Sequence, residues 1–256
     1  MASPQRVIIT GASSGLGAAL ARHYASRGAT LGLIARRQSE LERLRAALSV
    51  PCEIYPLDVR DTVALAAAAR HFTAKHGCPD IVIANAGVSL GTLTEHAEDL
   101  QAIQDVLDIN VMGMVKAFQP FLGGMRERGS GTLAGVASVA GYRGLPGGAA
   151  YSASKAAAIT YLEGLRVELR TSGVKVVTIC PGYIATPMTE KNAYSMPFLM
   201  SAESAAAKIT DLIARGKVFS VIPWQMAIVA RLMHVLPDWL YDRLAARSPR
   251  KARRGD

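Results

Sequence analysis

At 256 residues, half of them hydrophobic, the chain can bury one large core, and an α/β chain of this length and composition is expected to form a single folded body. Its 29 basic and 20 acidic residues give a net charge of +9, concentrated at the end, where Arg243, Arg247, Arg250, Lys251, Arg253 and Arg254 stand against Asp256 alone. Three scattered cysteines (Cys52, Cys78, Cys180) and five histidines without paired ligand spacing argue against a disulfide framework and a metal enzyme, so no metal ligand is assigned.

The first element is Arg6 to Thr10, a short apolar run with β-branched residues that reads as a strand. No basic and apolar leader precedes it and no apolar run nears the ~18 residues a membrane span needs, so a cytoplasmic location is expected. A turn follows, Gly11-Ala12-Ser13-Ser14-Gly15-Leu16-Gly17, and then the helix former Ala18-Ala19-Leu20-Ala21. Strand, glycine turn and helix make a phosphate site: Gly11 and Gly15 turn the backbone tightly and let it approach a pyrophosphate. Gly17 lets the helix pack near the strand, and the helix N-terminus favours negative charge. Taken alone, the same stretch is also compatible with an ordinary Gly/Ser loop.

Ala29 to Ala35 reads as the second strand, ending in Arg36-Arg37, with a charged helix to about Leu48. Cys52 to Leu57 is a third strand ending at Asp58-Val59, and an alanine-rich helix leads to a fourth, Asp80 to Ala84, ending in Asn85-Ala86-Gly87. One long helix is expected from Asp99 to Met125, a fifth strand from Thr132 to Ala137 and a helix from Ala149 to Thr171. Val174 to Ile179 is a sixth strand, followed by Pro181-Gly182. Alternating strands and helices predict a doubly wound parallel sheet with helices on both faces, whose ligands bind beyond the carboxyl ends of the strands. The polar and glycine residues singled out here fall at those ends.

Tyr151 and Lys155 lie four residues apart, hence on one face of their helix. A free phenol titrates near ~10 and is a poor proton donor or acceptor at neutral pH; a neighbouring cation lowers that value and makes it a workable acid/base. Alone, the pair also arises by chance on surface helices.

In this order and spacing the residues resemble the short-chain dehydrogenase/reductase family, from about Arg6 to Ile222. The resemblance implies a Rossmann-like fold with a seven-stranded parallel sheet, Val218 to Ile222 supplying the last strand. It also implies hydride transfer between a nicotinamide cofactor and a carbonyl or alcohol. Tyr151 would exchange the proton with the substrate oxygen, Lys155 would depress its pKa and bind the nicotinamide ribose, Ser138 would hydrogen-bond the substrate oxygen, and Asn110 would hold a water linking Lys155 to solvent. Asp58 and Val59 would meet the adenine, and Asn85, Ala86 and Gly87 the adenosine side, with Asn85 also bracing the central strands. Pro181, Gly182, Ile184 and Thr186 would border the pyrophosphate and carboxamide. The family also implies a homo-oligomer formed through the helices near Asn110 and Tyr151.

Ala35 stands where an acidic residue would bind ribose hydroxyls and repel a 2′-phosphate, and Arg36 and Arg37 follow it, so NADP(H) is favoured over NAD(H). Pro187-Met188-Thr189-Glu190 and Met196 to Met200 fall at the family's substrate lid, and Leu90, Tyr142, Leu145, Pro146 and Tyr183 are expected to add apolar wall. An apolar small-molecule carbonyl (acyl, sphingoid or steroid-like) is therefore favoured over a charged sugar. Residues 223–256 depart from compact members of the family: two apolar segments, Trp224 to Leu236 and Trp239 to Leu244, lead into the basic tail. They suit either peripheral contact with a membrane surface or a subunit interface. A non-catalytic NADP-binding regulator is the alternative to an enzyme, and the proton path of Asn110, Ser138, Tyr151 and Lys155 argues against it. No recognition motif accompanies the charge, so no nucleic-acid partner is expected.

Overall fold

The computed structural model describes residues 4–190, 192, 194–246 and 253. Along the chain run β1 (Arg6–Thr10), α1 (Gly15–Ala25), β2 (Thr30–Ala35), α2 (Gln38–Ala46), β3 (Cys52–Pro56), α3 (Thr62–His76), β4 (Ile81–Ala84), α4 (Leu100–Leu107) and α5 (Gly113–Arg128). They are followed by β5 (Gly131–Val136), α6 (Ala149–Glu168), β6 (Val174–Pro181), β7 (Ile184–Ala185), β8 (Met200–Ser201), α7 (Ala202–Ala214), β9 (Phe219–Ile222), α8 (Trp224–Val235) and α9 (Asp238–Ala245). Seven strands form one parallel sheet in the order β3-β2-β1-β4-β5-β6-β9; the short β7 and β8 pair separately.

Side-chain alternation explains the three layers. Val7 and Ile9 of β1 point into a core shared with α1, α2 and α7, whereas Ile8 points into one shared with α3, α5 and α6. Phe72, Phe118 and Leu162 fill the second core, each almost fully buried, and burial of a side chain of this size is worth about 1.5–3 kcal/mol. With both faces covered, the strands carry continuous apolar runs such as Ile81–Ala84, buried throughout.

The long helix expected from Asp99 to Met125 is two helices. Between α4 and α5, residues Asp108–Met112 form a wider turn, in which the Gly113 N–H bonds the Asp108 carbonyl five residues back. This turn holds Asn110 fully buried. At the other end of the chain, α8 and α9 pack on the body. Met226 and Ala230 are buried, and Arg143 donates to the carbonyls of His234 (3.2 Å) and Leu236 (3.1 Å) where α8 gives way to α9. Of the basic tail, Arg253 ion-pairs with Asp99 (2.9 Å) and Glu98 (3.0 Å), while Arg247, Arg250, Lys251 and Arg254 lie outside the described residues. No helix of the described residues is long and apolar enough to cross a membrane.

Candidate active site

The strand order reverses between β1 and β4, and there the carboxyl ends of the strands open a cleft of about 340 Å³. Its lining includes every residue expected to touch a cofactor: Gly11, Ser13, Ser14, Gly15, Leu16 and Gly17; Arg36 and Arg37; Asp58 and Val59; Asn85, Ala86 and Gly87; Tyr151 and Lys155; Pro181, Gly182, Ile184 and Thr186. Ser138 lines it too, and Asn110 is buried behind Gly87, whose Cβ position would lie 3.1 Å from the Asn110 Oδ1.

The glycine turn has no room for side chains. Gly11 has φ +68°, and a Cβ there would sit 2.8 Å from the Ala86 Cα. At Gly17 a Cβ would collide with the Gly11 carbonyl and reach within 2.7 Å of the Asn85 Nδ2. The turn is braced from β4: Asn85 Nδ2 donates to the Thr10 carbonyl at 3.0 Å, and Thr10 Oγ1 accepts from the backbone N–H groups of Asn85 and Ala86, both at 3.0 Å. Helix α1 starts within it, at Gly15. Ser14, at the N-cap, makes no side-chain cap bond, and the first turn carries no acidic residue. N–H groups without a side-chain acceptor at a helix start, on a cradle without Cβ atoms, fit a dinucleotide pyrophosphate.

At the end of β2, Arg37 reaches back over this turn and donates to Ser13 Oγ (3.1 Å) and Ser14 Oγ (2.7 Å). The Arg36 side chain is 64% exposed and approaches Asp58 Oδ2 at 3.9 Å. Asp58 itself is clasped by Arg60, a residue the sequence reading passed over. Oδ1 accepts from the Arg60 backbone N–H at 2.9 Å and from Nε at 3.1 Å, and Oδ2 accepts from Nη2 at 2.9 Å. These bonds hold the Asp58 carboxyl below the usual range. A carboxylate offers about four lone-pair positions, so three of them are in use before any adenine arrives.

Ser138 lies two residues beyond β5 and caps the short turn Val139–Gly141, its Oγ accepting from the Ala140 N–H at 3.1 Å. The same side chain lines the cleft beside Tyr151. Lys155 is almost fully buried one helical turn on, with Nζ donating to the Val136 carbonyl at 2.9 Å and lying 5.8 Å from the Tyr151 ring centre. Burial brings its pKa down from 10.5 to about 8, opposed by nearby Cys180. The lowered phenol expected of Tyr151 is not what the site gives. Burial raises its pKa, neighbouring Ser138 only moderates the rise, and Tyr194 adds to it. Desolvation is thus the largest influence on the phenol.

Asn110 fastens this group from behind. Its Oδ1 accepts from the Val88 N–H (2.8 Å), and its Nδ2 donates to the Val88 carbonyl (2.9 Å) and to Ser154 Oγ (2.9 Å). Ser154 in turn donates to the Tyr151 carbonyl at 2.7 Å. Sequence reasoning missed Ser154, although a serine three residues after Tyr151 on an inward face was the signal. It placed Thr189 only within the substrate lid; its Oγ1 donates to the Ile184 carbonyl (2.6 Å) and accepts from the Thr186 N–H (3.0 Å), fixing the segment that borders the cleft.

Of the expected apolar residues, Met188 lines the cleft, and Leu90, Tyr142, Leu145, Pro146 and Tyr183 do not. Tyr142 instead packs edge-on against His234 and Phe219, because α8 and β9 cover it. Beyond Met188, the Phe198 and Leu199 side chains are about half exposed and Met200 is buried in the β7–β8 pair.

The chain matches the family model for short chain dehydrogenase over residues 5–196. It is 41% identical over 248 residues to an uncharacterized oxidoreductase of Myxococcus xanthus, covering 96% of this chain and 98% of that one. It is 34% identical over 238 residues to the ketoacyl reductase HetN of Nostoc sp., covering 90% and 82% of the two chains. Among solved structures, an L-sorbose reductase from Gluconobacter frateurii complexed with NADPH and L-sorbose superposes with a TM-score of 0.77 at 25% identity, covering 86% of this chain and 95% of that one.

Proposed function

Because the chain belongs to the short-chain dehydrogenase/reductase family, it is an oxidoreductase of the carbonyl/alcohol class served by a nicotinamide cofactor, and we propose that it is an NADP(H)-dependent reductase of an apolar ketone. The observation that carries the reading is geometric: Tyr151, Ser138, Lys155 and the glycine turn all line one cleft. When bound, the cofactor would supply a hydride to the carbonyl carbon. The chain's own residues do the rest. Tyr151 gives its proton to the carbonyl oxygen, and Ser138 hydrogen-bonds that oxygen and steadies the charge developing on it. Protonated Lys155 stabilises the phenolate left behind and holds the nicotinamide ribose. Asn110 keeps Val88 and Ser154 in place and carries the water that returns a proton to Lys155.

The turn Gly11 to Gly17 would hold the pyrophosphate, Val59 and Asn85 to Gly87 the adenosine, and Pro181, Gly182, Ile184 and Thr186 the carboxamide end. The preference for NADP(H) rests on Ala35 in place of a carboxylate, on exposed Arg36, and on Arg37 spanning Ser13 and Ser14. The apolar substrate rests on Met188 in the cleft and on exposed Phe198 and Leu199 beyond it. A homo-oligomer through α4 and α6 is supported by Leu100 of α4, Met112 of the wider turn after it and Val167 of α6, all of which stand exposed.

The test is oxidation of NADPH, with NADH alongside, against a panel of apolar ketones. NADPH should be preferred, and Arg36→Ala with Arg37→Ala should raise its KM while leaving NADH little changed. Tyr151→Phe should slow turnover by roughly 10²–10⁴-fold with cofactor binding intact. Reduction needs protonated Lys155, so the rate should be level below pH 8 and fall above it. Full turnover by Tyr151→Phe would remove the assigned proton donor, and a preference for NADH would remove the role of the arginines.

A further inference from the structure

We propose that the outward face of α8, continued by Trp239 of α9, docks on an anionic lipid bilayer. A surface helix ordinarily has one apolar face, turned to the core. Helix α8 has two. Met226 and Ala230 are buried against the body, while Trp224 (66% exposed), Ile228 (51%), Leu232 (59%) and Val235 (72%) face away from it. Their spacing of four, four and three residues gathers them within roughly 80° of the helix circumference. Trp239, 69% exposed, extends the apolar surface beyond Pro237. Single exposed apolar residues are ordinary; a row of this kind calls for an occupant.

Charge chooses the occupant. Residues 224–256 carry seven basic residues and three acidic ones, and of the basic ones Arg253 is paired with Glu98 and Asp99. One of the acids, Asp238, is held by Arg143 at 2.6 Å, whereas Arg231 stands exposed among the apolar side chains of the row. A second copy related by a two-fold axis would bring the Arg231 side chains of the two rows towards each other. Anionic headgroups attract them, and tryptophan at both ends of an apolar row suits the boundary between headgroups and acyl chains. The helix itself adjoins the cleft through its buried side: a Cβ at Gly182, which lines the cleft, would lie 2.7 Å from the Met226 Cγ. On the reading that the substrate is an apolar ketone, a bilayer held here would bring it close to Tyr151.

The molecule supplies its own reporter, because its two tryptophans are Trp224 and Trp239. The full chain is titrated with vesicles of equal phosphatidylglycerol and phosphatidylcholine, and separately with phosphatidylcholine alone, while tryptophan emission is followed. The expected result is a blue shift with the anionic vesicles only, quenched by brominated acyl chains and weakened by added salt. The double variant Ile228→Gln/Leu232→Gln, which touches neither the cleft nor the core, should weaken binding by about tenfold or more. Unchanged emission, an equal response to phosphatidylcholine alone, or undiminished binding by the double variant would overturn the proposal. So would a blue shift that follows protein concentration without lipid, which would assign the face to a second copy. None of these readings depends on turnover, so a failure of docking and a failure of the proposed activity are distinguishable.

Discussion

Lys155 is the side chain in which stability and chemistry are most plainly opposed. Its fall from 10.5 to about 8 on burial corresponds to roughly 3 kcal/mol against the charged form. The single bond to the Val136 carbonyl recovers only part of that. A buried methionine of similar length would carry no such cost, although it would leave that carbonyl without its donor at about 1–2 kcal/mol. Lys155→Met should therefore be more stable than the parent by about 1 kcal/mol at pH 7, and nearly inactive. The pH dependence follows from the direction of the shift. Below pH 8 the lysine is protonated in both folded and unfolded states, so its cost is present in full. Between pH 8 and 10.5 the unfolded chain binds more protons, and the cost is relieved. Urea unfolding of both proteins at pH 7 and pH 9.5 should show the variant's advantage lost or reversed at the higher pH, where about 2 kcal/mol of the parent's cost is relieved. A variant less stable at pH 7 would contradict the account.

At the scale of elements, the apolar strands and the residues closing them could be read directly, because each strand is buried on both faces and its chemistry sits at one end. The break between α4 and α5 could not. Nothing in Asp108-Ile109-Asn110-Val111-Met112 signals an interruption, since the wider turn is set by what Asn110 must reach rather than by a glycine or proline within it. The same limit hid the partners. Arg60 on Asp58, Ser154 between Asn110 and Tyr151, and the Val136 carbonyl under Lys155 are meetings of distant segments or of backbone. The lowered phenol failed for a related reason: spacing reveals that a cation is near, but not how deeply both groups are buried. The turn supplies a test of its own. Asn110→Ala would leave the Val88 N–H and carbonyl and the Ser154 hydroxyl short of a partner, for a loss of about 2–4 kcal/mol. The denaturation midpoint should fall with an unchanged slope, since the amount of surface exposed on unfolding is the same. A loss below about 1 kcal/mol would mean that the wider turn holds itself.

For the molecule as a whole, the question is how the C-terminal helices are joined to the catalytic body. Arg143 sits five residues after Ser138, between Tyr142 and Gly144, and is the principal tie. Besides its bonds to the His234 and Leu236 carbonyls, its guanidinium lies 4.4 Å over the Tyr241 ring, and the Tyr241 hydroxyl donates to the Gly144 carbonyl. The ion pair to Asp238 adds little, because that carboxylate side chain is 94% exposed and screened by water. The carbonyl bonds and the ring contact remain, together worth about 1.5–3 kcal/mol. Arg143→Ala should lower stability by about that amount. Because the loop it leaves begins at Ser138 and runs towards Tyr151, turnover of the carbonyl substrate should fall as well. Cofactor affinity should be unaffected, since Arg143 lies outside the cleft lining. Arg143→Lys keeps the charge but loses the planar fork that serves two carbonyls and a ring at once, so it should restore little. If instead the lysine variant recovered full stability and activity, charge alone would be joining α8 and α9 to the body, and the exposed Asp238 would have to be its partner.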